Sequence, residues 1–394
     1  MQLAFTAAGL RAMGLEEAEL RTFPQDFLEG MARRAEQLGD RVQDVAAWQF
    51  GREEGEVHLL LAVYAPSEEA VDGAVAALRG SASGVRVVRE QRAAWSEREP
   101  FGFRDGISQP AIARFPETEG ARICAEDAPV QTGEFLLGYP NEYGELPISP
   151  HVSPRRDPRE YLGGEAPRDL GLNGTFMVVR KLRQDVEGFH AFLGDQARRL
   201  YGADDEPHRT LLAAKMMGRW PNGAPIQEGQ TEEPSIRPGE ENAFLFSSPR
   251  ASGCPMGAHV RRANPRDSLA SGDRPSPDEV SASLAAVRRH RLIRRVVRWR
   301  EGAEEGILFI ALNASIQRQF EYVHRSWLRN EKIGTAVDEK DPLMSTGRGE
   351  RFTIPDAPAR KRVTGLPELV RTLGGAYFFL PSLSALRFLS NLPS

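Results

Sequence analysis

Apolar runs separated by turn-forming clusters mark out most of the ordered elements of this chain. His58–Tyr64 is an almost unbroken apolar run closed by Pro66 and Ser67, which predicts a buried strand. Apolar residues at helical spacing predict a helix over Glu68–Leu78, and a second short strand is expected around Val85–Arg89. In the second half, Thr175–Arg180 reads as a strand and Gln184–Leu193 as an amphipathic helix. Gly306–Leu312 reads as another strand, followed by a helix over Ser315–Leu328. Ala376–Leu380 is a last strand leading into a short helix from Ser382 to Leu389. Strand–helix–strand units with short linkers predict an α+β protein, with helices on one face of mostly antiparallel sheets.

Three long stretches dense in Pro, Gly and charge interrupt this pattern, over 140–169, 222–241 and 264–279. Loops of this length commonly cover a functional cleft. At 394 residues the chain is expected to form one large domain or two fused ones. Its 40% hydrophobic content is enough for a substantial core. The net charge of −4 gives no support for a nucleic-acid partner. Only five of the 51 basic residues are lysine, a skew that fits codon usage better than a binding patch. Two cysteines, Cys124 and Cys254, are too few for a disulfide framework or a cysteine zinc site, and two thiols are expected. The first residues lack the basic and apolar regions of a secretory signal, and no run reaches the roughly 18 apolar residues of a membrane span. A soluble, cytoplasmic protein with no membrane partner is expected.

The chemistry concentrates in two segments. Gly102-Phe103-Arg104-Asp105-Gly106 sets one carboxylate on a loop between glycines, where the backbone is free to aim it into a pocket. On the pentapeptide alone a plain turn with an Asx hydrogen bond is the better account of Asp105, and only the longer string reverses that. Of the seven histidines, His58 opens a strand and His190 and His324 fall within helices, where packing accounts for them. His259 stands apart, in Cys254-Pro255-Met256-Gly257-Ala258-His259-Val260-Arg261-Arg262-Ala263-Asn264-Pro265-Arg266.

Read as one string, Glu99-Pro100-Phe101-Gly102-Phe103-Arg104-Asp105-Gly106-Ile107-Ser108-Gln109-Pro110, with the His259 segment, resembles the dye-decolourising (DyP-type) haem peroxidase family. Further stretches, among them Gly133–Gly144 and Ala311–Ile316, extend the resemblance from about residue 1 to 390. The resemblance implies tandem ferredoxin-like domains of the dimeric α+β barrel type, one over 1–170 with the Asp105 loop and one over 171–394 with the His259 segment. It implies one haem b, with His259 as the iron ligand, Asp105 as the proton-transfer residue and Arg294, in His290-Arg291-Leu292-Ile293-Arg294-Arg295, as the distal arginine. Arg261, Arg262 and Arg266 are candidates for the haem propionates, since a guanidinium fork matches carboxylate geometry. Asp341 is the candidate acid behind His259, with Asp338 as the fallback.

The implied reaction takes hydrogen peroxide and an organic reductant, and is expected to favour acid pH. A non-catalytic haem-binding or iron-handling protein of the same fold is the alternative, and it would need neither Asp105 nor Arg294. Bulky donors would require a surface route, for which Trp48, Trp95, Trp220, Trp299 and Trp327 are the redox-capable candidates. The chain departs from the family after Arg295, reading Val296–Gly302 where relatives carry a Gly and a Pro-Tyr-Gly turn, so a different distal pocket is expected. Since the last expected helix is followed directly by Leu392-Pro393-Ser394, encapsulin loading is not expected, and a homo-oligomer is left open.

Overall fold

The computed structural model describes the chain except for residues 54, 116–127, 163–166, 238, 248–251, 271–274, 334–335, 348, 357–358 and 393–394. Cys124 and the terminal Pro393 and Ser394 therefore lie outside the described residues. The main sheet has six strands: β1 (Gln2–Phe5), β2 (Leu59–Ala62), β3 (Thr175–Gln184), β4 (Ile293–Glu301), β5 (Glu304–Asn313) and β6 (Val370–Leu380). They run in the order β2-β1-β6-β3-β5-β4, with every neighbour antiparallel.

The four strands of the second half stand in the spatial order fourth, first, third, second, which is the ferredoxin-like arrangement. The first half adds β1 and β2 beside β6, in register through Phe5 and Phe379. The α+β class expected from the sequence is thus the class observed.

One face of the sheet carries Phe176, Val178, Ala311, Tyr377 and Phe379, all buried. They pack against Leu10, Phe27 and Met31 from the N-terminal helices, Phe23 from the turn between two of them, and Phe320 and Phe388 from the C-terminal helices. Each buried Phe, Val, Leu or Met side chain among them contributes roughly 1.5–3 kcal/mol, so this layer is the main source of cohesion.

Sequence and structure diverge in ways the local chemistry explains. Val85–Arg89 forms no strand, and Val85 and Val87 are exposed. Ion pairs hold this segment instead: Arg79 to Glu90 at 2.5 Å, Arg92 to Asp72 at 2.6 Å and Arg89 to Glu301 at 2.6 Å. Only Ala94 reaches the sheet, exchanging both backbone hydrogen bonds with Arg298 on the β4 edge.

The helix expected to end at Leu193 runs over Val186–Tyr201, from an Asp185 cap to Gly202, whose φ of +80° stops it. The stretch assigned to a loop up to 279 already contains a helix start: Pro277–Arg288 begins at Ser276 with a capping box closed by Glu279. Glu206–Met217, capped by Asp205 and ended by Gly218, is a further helix that apolar spacing alone did not mark.

The expected helix over Ser315–Leu328 is wound more widely. Glu321 N–H donates to Ile316 O and Arg329 N–H to His324 O, each five residues back. Among the described residues no helix is long and apolar enough to cross a membrane.

The departure after Arg295 also has a structural form. The segment continues β4 as far as Glu301 and closes on β5 through Gly302, at φ +61°. Alternation along the strand puts Trp299 on the face opposite Arg294. There it is buried, its Nε1–H donating to Leu182 O at 3.2 Å and its ring 4.0 Å from Lys181 Nζ.

Candidate active site

The loop before Asp105 is closed by its own backbone. Glu99 N–H donates to Phe103 O and Asp105 N–H to Glu97 O, at 2.9 and 3.0 Å. Gly102 at φ +99° and Gly106 at φ +79° provide the left-handed turns on either side, which residues with a Cβ rarely adopt. Asp105 is thereby delivered to Arg294, whose Nη1 donates to Asp105 Oδ1 at 3.0 Å. Oδ2 is left without that partner.

Gln109, four residues further on, ties this loop to the strand that bears the arginine. Its Nε2 donates to Arg294 O at 2.8 Å, and Arg294 N–H donates back to its Oε1 at 3.3 Å. A side-chain amide thus does for the β4 edge what a neighbouring strand would do.

His259 is the first residue of a short helix, His259–Ala263. Its Nδ1–H donates to Asp341 Oδ2 at 2.6 Å, while Asp341 Oδ1 accepts the Leu343 amide at 2.8 Å. The Asp341 side chain is fully buried, whereas the His259 side chain keeps 32% of its surface accessible. The ring is therefore partly accessible, and with Nδ1 bound to Asp341 its Nε2 is the nitrogen left over. Burial of the ring works against its charged form, but the charge and hydrogen bond of Asp341 together outweigh this and raise the His259 pKa above the ordinary value. Asp338, the alternative acid, adopts φ +58° and pairs with Arg351 at 3.0 Å.

The three arginines near His259 are bound to protein atoms. Arg261 donates to Ser268 Oγ and Cys254 O, with its guanidinium 4.8 Å from the Phe246 ring. Arg262 is fully buried and donates to the carbonyls of Trp327, Asn330 and Glu339. Arg266 donates to Asn242 O and Phe244 O, and to Asn242 Oδ1 at 3.0 Å. Cys254 is a free, buried thiol, its pKa pushed up to about 11 by burial. Of the five tryptophans, only Trp95 is exposed.

Sequence reasoning passed over Asn242 and Arg219. Asn242 Nδ2–H donates to Ile107 O in the Asp105 loop, and its Oδ1 also accepts from Arg219 Nη2 at 2.9 Å. Asn242 thus joins the loop before helix His259–Ala263 to the loop that carries Asp105. The only hint in the sequence is its place just after the long 222–241 stretch.

Among the described residues no three His, Cys, Asp or Glu side chains converge to hold a bare metal ion. A single imidazole with a buried acid behind it fits a ligand ring that brings its own nitrogens to the metal.

The antiparallel α+β scaffold thus carries a carboxylate–guanidinium pair and an imidazole backed by a buried acid. No family model matches the chain. A dye-decolorizing peroxidase from Mycena epipterygia is 27% identical over 435 residues, covering 98% of this chain and 75% of that protein. Dye-decolorizing peroxidase msp1 of Mycetinis scorodonius is 28% identical over 422 residues, with the same coverage of 98% and 75%. Among solved structures, an ancestral D-type dye decolorizing peroxidase superimposes with a TM-score of 0.76 at 25% identity, covering 100% of this chain and 86% of that one. The Auricularia auricula-judae enzyme complexed with imidazole gives a TM-score of 0.75 at 23% identity, covering 98% of this chain and 86% of that one. The chain is homologous, over nearly its whole length, to the dye-decolorizing peroxidases.

Proposed function

We propose that the protein is a haem-dependent peroxidase that reduces hydrogen peroxide and oxidises organic donors, such as dyes or phenolics, in one-electron steps. The observation that carries this reading is the Asp105–Arg294 pair present together with His259 and its buried Asp341 partner. A protein that only stored or carried haem would need the second pair and not the first.

His259 Nε2 would hold the iron of haem b, and Asp341 fixes the tautomer that leaves this nitrogen unprotonated. Bound there, haem supplies the redox centre at which the peroxide O–O bond is cleaved. Asp105 would take a proton from peroxide and return it to the departing oxygen. Arg294, permanently charged and hydrogen-bonded to Asp105, stabilises the negative charge that develops on the peroxide. Arg261, Arg262 and Arg266 are the candidates for the haem propionates. Engaging propionates requires them to exchange carbonyl partners for carboxylates, a charge-assisted gain. Bulky donors would deliver electrons through the protein, and Trp299 and Trp327 are then interior relay candidates.

The test is the visible spectrum of haem-reconstituted protein before and after one equivalent of hydrogen peroxide. A change within seconds that a phenolic donor reverses is the expected result. A haem spectrum indifferent to peroxide would overturn the enzymatic reading in favour of a carrier.

A further inference from the structure

Tyr143 is an aromatic held in solvent by a loop with little freedom. Asn141 Oδ1, buried, accepts the N–H of Tyr143 at 2.9 Å and of Glu145 at 3.2 Å. Backbone hydrogen bonds close the same turn, from Gly144 N–H to Asn141 O and from Asn141 N–H to Glu145 O, both at 2.9 Å. Tyr143 nevertheless stays 51% exposed, and a fixed loop that presents a ring in this way is suited to recognition.

Two guanidinium groups lie over the ring, Arg289 at 4.3 Å from its centroid and Arg318 at 5.6 Å. Their charges are not equally matched. Arg318 pairs with the fully buried Glu134 at 2.5 and 2.9 Å, and it also donates to Arg289 O. Arg288 pairs with Glu142 of the same loop at 3.2 Å. Arg289, directly after helix Pro277–Arg288, has no acid. Among the described residues its guanidinium meets the Tyr143 ring and makes no hydrogen bond or ion pair. Its Nε–H is buried without a partner, and the residue is half-buried, so the outer nitrogens are where a ligand would bind.

Behind this surface the chain leads inward. His290, the next residue, donates from Nδ1 to Arg318 O at 2.6 Å and stacks on Tyr322 with ring centroids 3.9 Å apart. Its ring also lies 5.2 Å from that of Trp327, the interior relay candidate, whose carbonyl accepts from Arg262, three residues beyond His259.

We propose that Tyr143 and Arg289 form the docking site for an aromatic anion, a sulfonated or carboxylated phenolic donor that the peroxidase oxidises from its surface. The inference rests on the peroxidase reading above. A guanidinium fork matches the oxygens of a sulfonate or carboxylate, and the half-exposed ring beside it offers a stacking surface. The unmatched charge of Arg289 favours an anion over a neutral or cationic donor. One hydrogen peroxide is reduced to two waters by two donor molecules, each losing one electron and one proton.

The experiment offers naphthol and naphthol sulfonate as donors to the haem-loaded parent, Arg289→Gln, Arg289→Lys and Tyr143→Leu. The quantity read is kcat/KM for naphthol sulfonate divided by kcat/KM for naphthol, so a defect shared by both donors cancels. The parent ratio should fall with added salt. Arg289→Gln should lower the ratio about tenfold, as loss of one charge-assisted contact implies, and Arg289→Lys should fall between. Tyr143→Leu should lower kcat/KM for both donors, since both stack on the ring; unchanged values would overturn the role of Tyr143. An unchanged ratio in Arg289→Gln would overturn the proposal, because a merely structural defect slows both donors alike.

A second readout needs no turnover: equilibrium dialysis of naphthalene sulfonate, without peroxide, against the haem-loaded parent and Arg289→Gln. Weaker binding to Arg289→Gln supports the inference, and equal binding overturns it. If the haem-loaded parent ignores peroxide, the peroxidase reading fails, and the dialysis still decides whether the anion site exists.

Discussion

At the scale of single residues, the two functional pairs are asymmetric, and the asymmetry predicts separable defects. Asp105 lies in front of the proposed reaction and Asp341 behind the proposed ligand. Asp105→Asn preserves shape and removes the base, so it should leave haem bound and slow the reaction with peroxide by about 10²–10⁴-fold, measured by stopped-flow absorbance. An unchanged rate would pass proton transfer to water.

Asp341→Asn acts differently. Its two oxygens accept from the Leu343 amide and from His259, and an amide NH₂ must face one of these donors. The imidazole then loses its fixed tautomer, and haem affinity should drop by about 10–100-fold, read from haem transfer to an acceptor protein. Arginines show what a sequence leaves ambiguous. A string of basic residues beside His259 suits carboxylate recognition, yet Arg262 is bound wholly by carbonyls of the protein. Long side chains reach in several directions, and only the packed neighbours decide which is taken.

At the scale of elements, the site depends on a loop fastened to a strand edge. Gln109→Leu removes both hydrogen bonds to the Arg294 backbone and should cost about 1–2 kcal/mol of stability. The peroxide rate should fall more than that loss suggests, because the Asp105–Arg294 distance is no longer held. Gln109→Glu keeps the acceptor for Arg294 N–H and should recover part of the rate; no recovery would mean that the donor to Arg294 O is what matters. Arg262 plays the equivalent part on the other side. Arg262→Met leaves three carbonyls unpaired and should cost roughly 3 kcal/mol or more in urea unfolding, with weaker haem retention. The elements best legible in the sequence are those with strong periodicity or continuous apolar runs, such as β3, β5 and β6. Strand β4 is arginine-rich and β1 only four residues long, so neither shows a clear period.

At the scale of the whole molecule, burial of charge ties stability to pH. His324 donates from Nδ1 to Leu38 O at 3.1 Å and faces Arg180 through Nε2 at 3.1 Å, so it is held neutral. Burial, and then the charges of Arg180 and Arg329, set its pKa well below the usual value. The unfolded chain, with a His pKa near ~6.5, then binds more protons than the native state below that pH. Stability from this group is complete above the unfolded value and is lost as pH falls below it toward the folded value. Urea midpoints at pH 7 and pH 5 should differ for the parent and differ less for His324→Gln, whose amide can serve both partners. Equal pH dependence would exclude His324 as the sensitive group.

By itself, the sequence determined the α+β class, the strong core strands and the two motifs that hold Asp105 and His259, because periodicity and loop chemistry are local properties. It also brought Asp341 and Arg294 into consideration, though only through family likeness. Only the tertiary structure decided that Asp341 and not Asp338 meets His259, that Gln109 and Asn242 fasten the Asp105 loop, and that Trp299 faces away from Arg294. Each of these depends on which residues, separated by scores of positions, the folded sheet brings within hydrogen-bond reach. Contacts of that kind have no period for a sequence to display.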